Sequence, residues 1–201
     1  MSPDIQLRTA TAADYDQIIA VVDDWWGRPI RRALPRVFLD HFYTTSTIAQ
    51  TPIAQTPIAG DSGALAGFLI GFLSPSQPDA AYIHFVGVHP SLRGQDLART
   101  LYQRFFALAE ADGRSVITAI TAAHNAPSIA FHTAMGFTVS PPIPNYDGPG
   151  YDGTGHYDTT AKVLFHRRLP SLARRFPESA RSRPVNGCLV TLAADADPPG
   201  G

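Results

Sequence analysis

The chain has 201 residues, 44% of them hydrophobic and 16% charged, with a net charge of −1 and a single cysteine. That length and apolar content suit one domain around one core, and so neutral a balance lacks the basic footprint that neutralises nucleic-acid phosphates, so no nucleic-acid partner is expected. Cys188 alone cannot close a disulfide within the chain, the N-terminus has no signal-peptide pattern, and the longest apolar run, ALAGFLIGFL, is ten residues, so a cytoplasmic protein without membrane contact is expected.

IQLRTA reads as a first strand. The helix that follows, TAADYDQIIAVVDDWW, has Thr11 and Asp14 at capping-box spacing and Ile18, Ile19 and Val22 on one face. Pro35 opens a second, short helix through Val37, Phe38 and Phe42. Residues 48–60, IAQTPIAQTPIAG, repeat a five-residue unit over a span far below a solenoid period. Doubling a loop costs only about 0.6 kcal/mol, so they read as a tolerated hairpin insertion, with a surface tip that touches a partner as the functional alternative.

ALAGFLIGFLSP and AAYIHFVGVHP read as antiparallel neighbouring strands, each ended by a proline. From Leu97 the apolar positions 97, 101, 105 and 108 mark a helix that stops before Asp112 and Gly113. RSVITAIT is the next strand, NAPSIAFHTAMGF a short helix running into another, and AKVLFHRRL the last. The segment 141–160, rich in Pro, Gly, Tyr and Asp, is long enough to be functional or disordered. The pattern predicts a folded domain over 1–169 and a disordered, Pro- and Arg-rich tail over 170–201.

The chemistry concentrates in HPSLRGQDLARTL, residues 89–101. A strand aims this loop, Gly94 lets it turn, and the helix start offers unpaired N–H groups and a partial positive charge that suit phosphate, with Arg93 and Arg99 beside it. Many strand-to-helix turns hold an Arg-Gly pair, so a plain structural turn stays open. The seven histidines have no close metal-ligand spacing, and no metal is expected.

With the later run Asn125, Ser128, Phe131, His132, Met135, Gly136 and Phe137, this loop resembles the GCN5-related N-acetyltransferase (GNAT) superfamily over roughly residues 4–169. The resemblance implies an α/β fold with a mixed, mostly antiparallel central sheet flanked by helices. It also implies acetyl-CoA as cosubstrate and an amine of a small molecule or peptide as acceptor. A homodimer is left open.

Carried over position by position, Arg93 takes the first place of the acyl-CoA loop and Ala98 the last, with Asp96 where the family usually has glycine. The resemblance implies that backbone groups around Gly87, at Val86 and Val88, bond the pantetheine arm. The amides of Gly94, Gln95, Asp96, Leu97, Ala98 and Arg99 would hold the pyrophosphate, and Asn125, as a catalytic and cofactor-binding residue, would contact the cofactor arm or a bound water near the thiol. His132 stands at the place of the tyrosine that often protonates the departing thiolate, with Tyr102, Tyr146 and Tyr151 as substitutes. His84 alternates with Tyr82 and Val86 and is the candidate general base; the alternative is a histidine packed in the core or facing solvent. Trp25, Trp26 and Tyr146 are candidate acceptor contacts, the two tryptophans equally readable as core. A module that binds acyl-CoA without catalysis is the second functional reading.

Overall fold

In the computed structural model, which describes residues 4–52, 63–148 and 161–170, the chain lays down β1 (Gln6–Thr9), α1 (Asp14–Trp26), α2 (Val37–Phe42), β2 (Thr47–Gln50), β3 (Leu65–Leu73) and β4 (Ala80–Val88). Then follow α3 (Leu97–Ala111), β5 (Val116–Ala122), α4 (Ala126–Ala134), β6 (Thr138–Val139) and β7 (Lys162–Arg168). The strands form one sheet in the order β1-β2-β3-β4-β5-β7-β6. Among the described strands only β4 and β5 run parallel, joined through α3; the other described pairs are antiparallel. The sheet is mixed and mostly antiparallel, as expected.

Helices cover both faces. On one, Ile18, Val22 and Trp25 of α1 and Leu39 of α2 pack with Ile48, Phe68 and Ile70. On the other, Leu97, Leu101, Tyr102, Phe105, Phe106 and Ala109 of α3 pack with Leu69, Ile83, Ile117 and Phe165. Burial on two faces is why β3 reads as a near-continuous apolar run rather than an alternating one. The buried stripe of α3 is wider than the 97, 101, 105, 108 row, because Tyr102 and Phe106 turn toward Phe131 and Phe137 beside α4.

The Thr11 and Asp14 pair forms half a capping box. Asp14 accepts from the Thr11 N–H at 2.7 Å, but the Thr11 hydroxyl also donates to Asp14 instead of capping an amide. Both oxygens of Asp14 also meet Arg8, at 2.8 and 2.6 Å, which staples β1 to the start of α1. Burial pushes the Asp14 carboxyl up, and the bonds from Arg8 and Thr11 outweigh it and hold the group below the usual carboxylate range.

The repeat at 48–60 is not wholly insertion. The first three residues of its first unit, Ile48 to Gln50, lie in β2, with Ile48 and Ala49 fully buried. Residues 53–62 lie outside the described residues, as do Tyr151, the rest of 149–160, and the segment 171–201 for which a disordered tail is expected.

Candidate active site

The sheet opens at one point. β4 and β5 pair from Ala80 and Val116 to Ile83 and Ala119 and then part, although β4 continues to Val88 and β5 to Ala122. The cause is visible on the other edge of β4. Its register with β3 steps from Ile70 and Phe85 to Gly71 and Ile83, which leaves His84 as the extra residue of a β-bulge. The bend carries the rest of β4 away from β5.

The bulge also changes which way side chains face. Phe85 packs with the α1 and α2 core, whereas Val86 and Val88 pack with the α3 core. His84 stacks on Phe38 of α2, centroids 3.7 Å apart and planes 9° from parallel. It therefore shares a face with Tyr82 but not with Val86, and the expected simple alternation is corrected at this point. Beyond the bulge, the His89 N–H donates to the Ala66 carbonyl at 2.9 Å. By alternation, the backbone groups of Gly87 address β3 and those of Val86 and Val88 face the opening.

Phosphate-type chemistry is available at the start of α3. Among the described residues, the N–H groups of Gly94, Gln95, Asp96, Leu97, Ala98 and Arg99 have no acceptor. Gly94 (φ 75°) and Asp96 (φ 59°) both adopt the left-handed conformation, which turns successive amides toward one concavity. Aspartate is among the few residues besides glycine that visit this region routinely, which is how it can replace the usual glycine.

The side chains in this loop do other work. Arg93 donates from Nε to the Val88 carbonyl at 3.3 Å and from a terminal nitrogen to the Trp25 carbonyl, which ties the end of β4 to the end of α1. Asp96 makes no side-chain cap; it is 81% exposed and pairs with Arg99.

Across the opening, Asn125 caps α4. Its Oδ1 accepts from the Ser128 N–H at 3.4 Å, and its Nδ2 donates to the Thr121 hydroxyl at 2.9 Å, which fixes the helix to the end of β5. His132 is 6% exposed and stacks on Phe165 at 3.8 Å. Its Nδ1 lies 2.8 Å from the Ser128 carbonyl, which can only accept, so Nδ1 carries the proton and Nε2 accepts from the Tyr102 hydroxyl at 3.0 Å. Both nitrogens of His132, expected as general acid, are thus engaged within the core in this arrangement. Burial lowers its pKa, partly countered by the Ser128 bond, and burial raises that of Tyr102.

His84 differs. Its Nε2 donates to the Ala33 carbonyl at 2.8 Å, so in the neutral ring Nδ1 keeps the lone pair. Burial pushes its pKa below the ordinary histidine value, with the Ala33 bond opposing, which favours the neutral ring. Trp25 is a core residue, stacked on Phe68. Trp26 is half-buried against Phe85, at 5.1 Å. Gly87 makes room for both layers, since a Cβ there would lie 2.6 Å from Phe68 and 2.9 Å from Trp26. Tyr146 is 48% exposed in the turn after β6, and burial, aided by the charge of the neighbouring Asp147, raises the Tyr82 pKa. Sequence reasoning missed Phe38 as a neighbour of the candidate base. Among the described residues no helix is long and apolar enough to cross a membrane.

The L-methionine sulfoximine/L-methionine sulfone acetyltransferase of Salmonella typhimurium (strain LT2) is 39% identical over 61 residues, which cover 30% of this chain and 36% of that protein. The chain thus spans about a third of the curated relative it matches. Solved structures agree on the fold: Ard1 from Thermoplasma volcanium superposes with a TM-score of 0.63 at 16% identity, covering 83% of this chain and 99% of that one. The acetyltransferase yncA from Salmonella typhimurium, described as putative and solved with its cofactor acetyl-CoA, gives 0.60 at 19% identity, covering 84% and 96%. The family profile described as Acetyltransferase (GNAT) family matches residues 18–137, and with this fold the chain belongs to that family.

Proposed function

We propose that the chain transfers an acetyl group from acetyl-CoA to a primary amine by direct attack. The observation that carries the reading is the opening between β4 and β5 with a row of unpaired amides at its mouth. The pyrophosphate fits the amides from Gly94 to Arg99 at the positive end of α3. The pantetheine arm fits as an added strand on the backbone of Val86 and Val88, which brings the thioester near the bulge. As the neutral amine nitrogen bonds to the thioester carbon it becomes cationic, and His84 Nδ1 takes its proton, directly or through water. The C–S bond then breaks with its electron pair on sulfur, and the thiolate takes, through solvent, the proton that His84 gives up. Asn125 holds α4 against the end of β5 and so keeps the far wall of the opening in place.

The test is thiol release from acetyl-CoA with a panel of amines, alongside calorimetric titration of the cosubstrate. Amine-dependent release supports the proposal. Tight acetyl-CoA binding with no amine-dependent release supports instead the non-catalytic acyl-CoA module, a reading favoured by the placement of His132 in the core.

A further inference from the structure

On the face of the sheet that carries His84, aromatic rings continue without interruption. Trp26 lies 5.1 Å from Phe85, Phe85 6.2 Å from His84, His84 3.7 Å from Phe38 and 6.4 Å from Tyr82, and Tyr82 5.3 Å from Phe72. Each of these rings is only half-buried, unlike Phe68 beneath them, which is wholly enclosed. Trp26, Phe38 and Phe85 pack with one side against the core of α1 and α2, so the row is the rim of that core where it meets the opening. The start of α3 lies with the opposite core, so a thioester held there enters the opening from one face and leaves the aromatic face to the acceptor.

We propose that the acceptor carries its primary amine on a short alkyl arm attached to an aromatic ring, with the ring lying on this row and the amine reaching His84 Nδ1. The inference rests on the acetyltransferase reading above and names its substrate class. The same chemistry comes from two sources, a free arylalkylamine or the N-terminus of a peptide that begins with an aromatic residue. With this acceptor the C–N bond forms, the C–S bond breaks with its electron pair on sulfur, and the proton of the attacking nitrogen passes to His84 and, through solvent, to the thiolate.

The experiment compares thiol release by the full chain with phenethylamine, phenylalanine amide, a peptide beginning with phenylalanine, n-butylamine and spermidine. Seating one aromatic ring should raise kcat/KM for the aryl amines roughly tenfold or more over n-butylamine and spermidine. Phe85→Leu should shrink that ratio. Faster turnover of phenethylamine or of the peptide identifies the source. Equal rates across the panel, or a preference for spermidine, overturn the aromatic assignment while the acetyltransferase reading stands. If no amine is acetylated, that reading fails first, and quenching of tryptophan fluorescence then decides the pocket. Saturation by phenethylamine and not by n-butylamine supports the row as a site, and no difference overturns it.

Discussion

The Asp96 carboxylate lies 3.4 Å from Nε of Arg99 instead of over the amides that open α3. The amides are thus left for a ligand, and the residue's backbone, held at φ 59°, carries the cost. An exposed pair of this kind contributes little. Replacing Asp96 with glycine should relieve the left-handed strain by about 0.5–1 kcal/mol, less the extra chain freedom of glycine. A melting temperature equal to or above that of the parent is therefore expected, where a capping aspartate would give a fall. Removing a negative charge beside the pyrophosphate should also tighten acetyl-CoA binding several-fold, with a gain that shrinks as salt rises. Calorimetry at two salt concentrations and a thermal melt check both.

Arg93→Ala removes the tie from β4 to α1. Bonds from a charged donor contribute about 1.5–3 kcal/mol, less where exposed, so the melting temperature should fall and the KM for acetyl-CoA should rise together as the loop loosens. A raised KM with an unchanged melt would mean that the guanidinium turns to the pyrophosphate when the ligand binds.

His84→Gln should lower kcat by about a hundredfold, the usual scale of general-base catalysis. In the parent, kcat/KM should rise with pH through a pKa below 6.5, because burial favours the neutral ring. The variant should lose that acidic limb. A limb that persists would place the base elsewhere.

Stability should also depend on pH. Burial holds His84 and His132 below their ordinary 6.5, so between the folded values and 6.5 the unfolded chain binds more protons than the folded one. Stability is then complete above about 6.5 and falls as pH drops through that window. Asp14, with its pKa lowered from 3.8, acts only at more acid pH. Chemical denaturation between pH 7.5 and 5 should show the decline, and His132→Gln should flatten its slope even though it costs stability overall.

Tyr102→Phe leaves the buried Nε2 of His132 without its donor, which should cost about 1–3 kcal/mol. Urea denaturation measures the loss. The kcat should hardly move, because neither group reaches the opening.

The loop at 89–99 and the helix beginning at Asn125 were legible because their residues are local: a turn, a cap and a stripe lie within a few positions of one another. What decides their roles is not. Arg93 meets Trp25 from 68 residues away and Tyr102 meets His132 from 30, and no spacing rule links such pairs. The left-handed backbone of Asp96 was hidden because a carboxylate before a helix ordinarily signals a cap. β2 was hidden by its own repeat, since its first unit looks like the two that follow.

Stripped of its extra residue, β4 would be an ordinary member of the sheet. Deleting His84 would return Val86 to the parity of a regular strand and let the ladder with β5 run on past Ile83 and Ala119, sealing the seam where the thioester is proposed to lie. The gap is therefore a misfit of count between two neighbouring strands, and the site exists because the chain is one residue too long to zip shut.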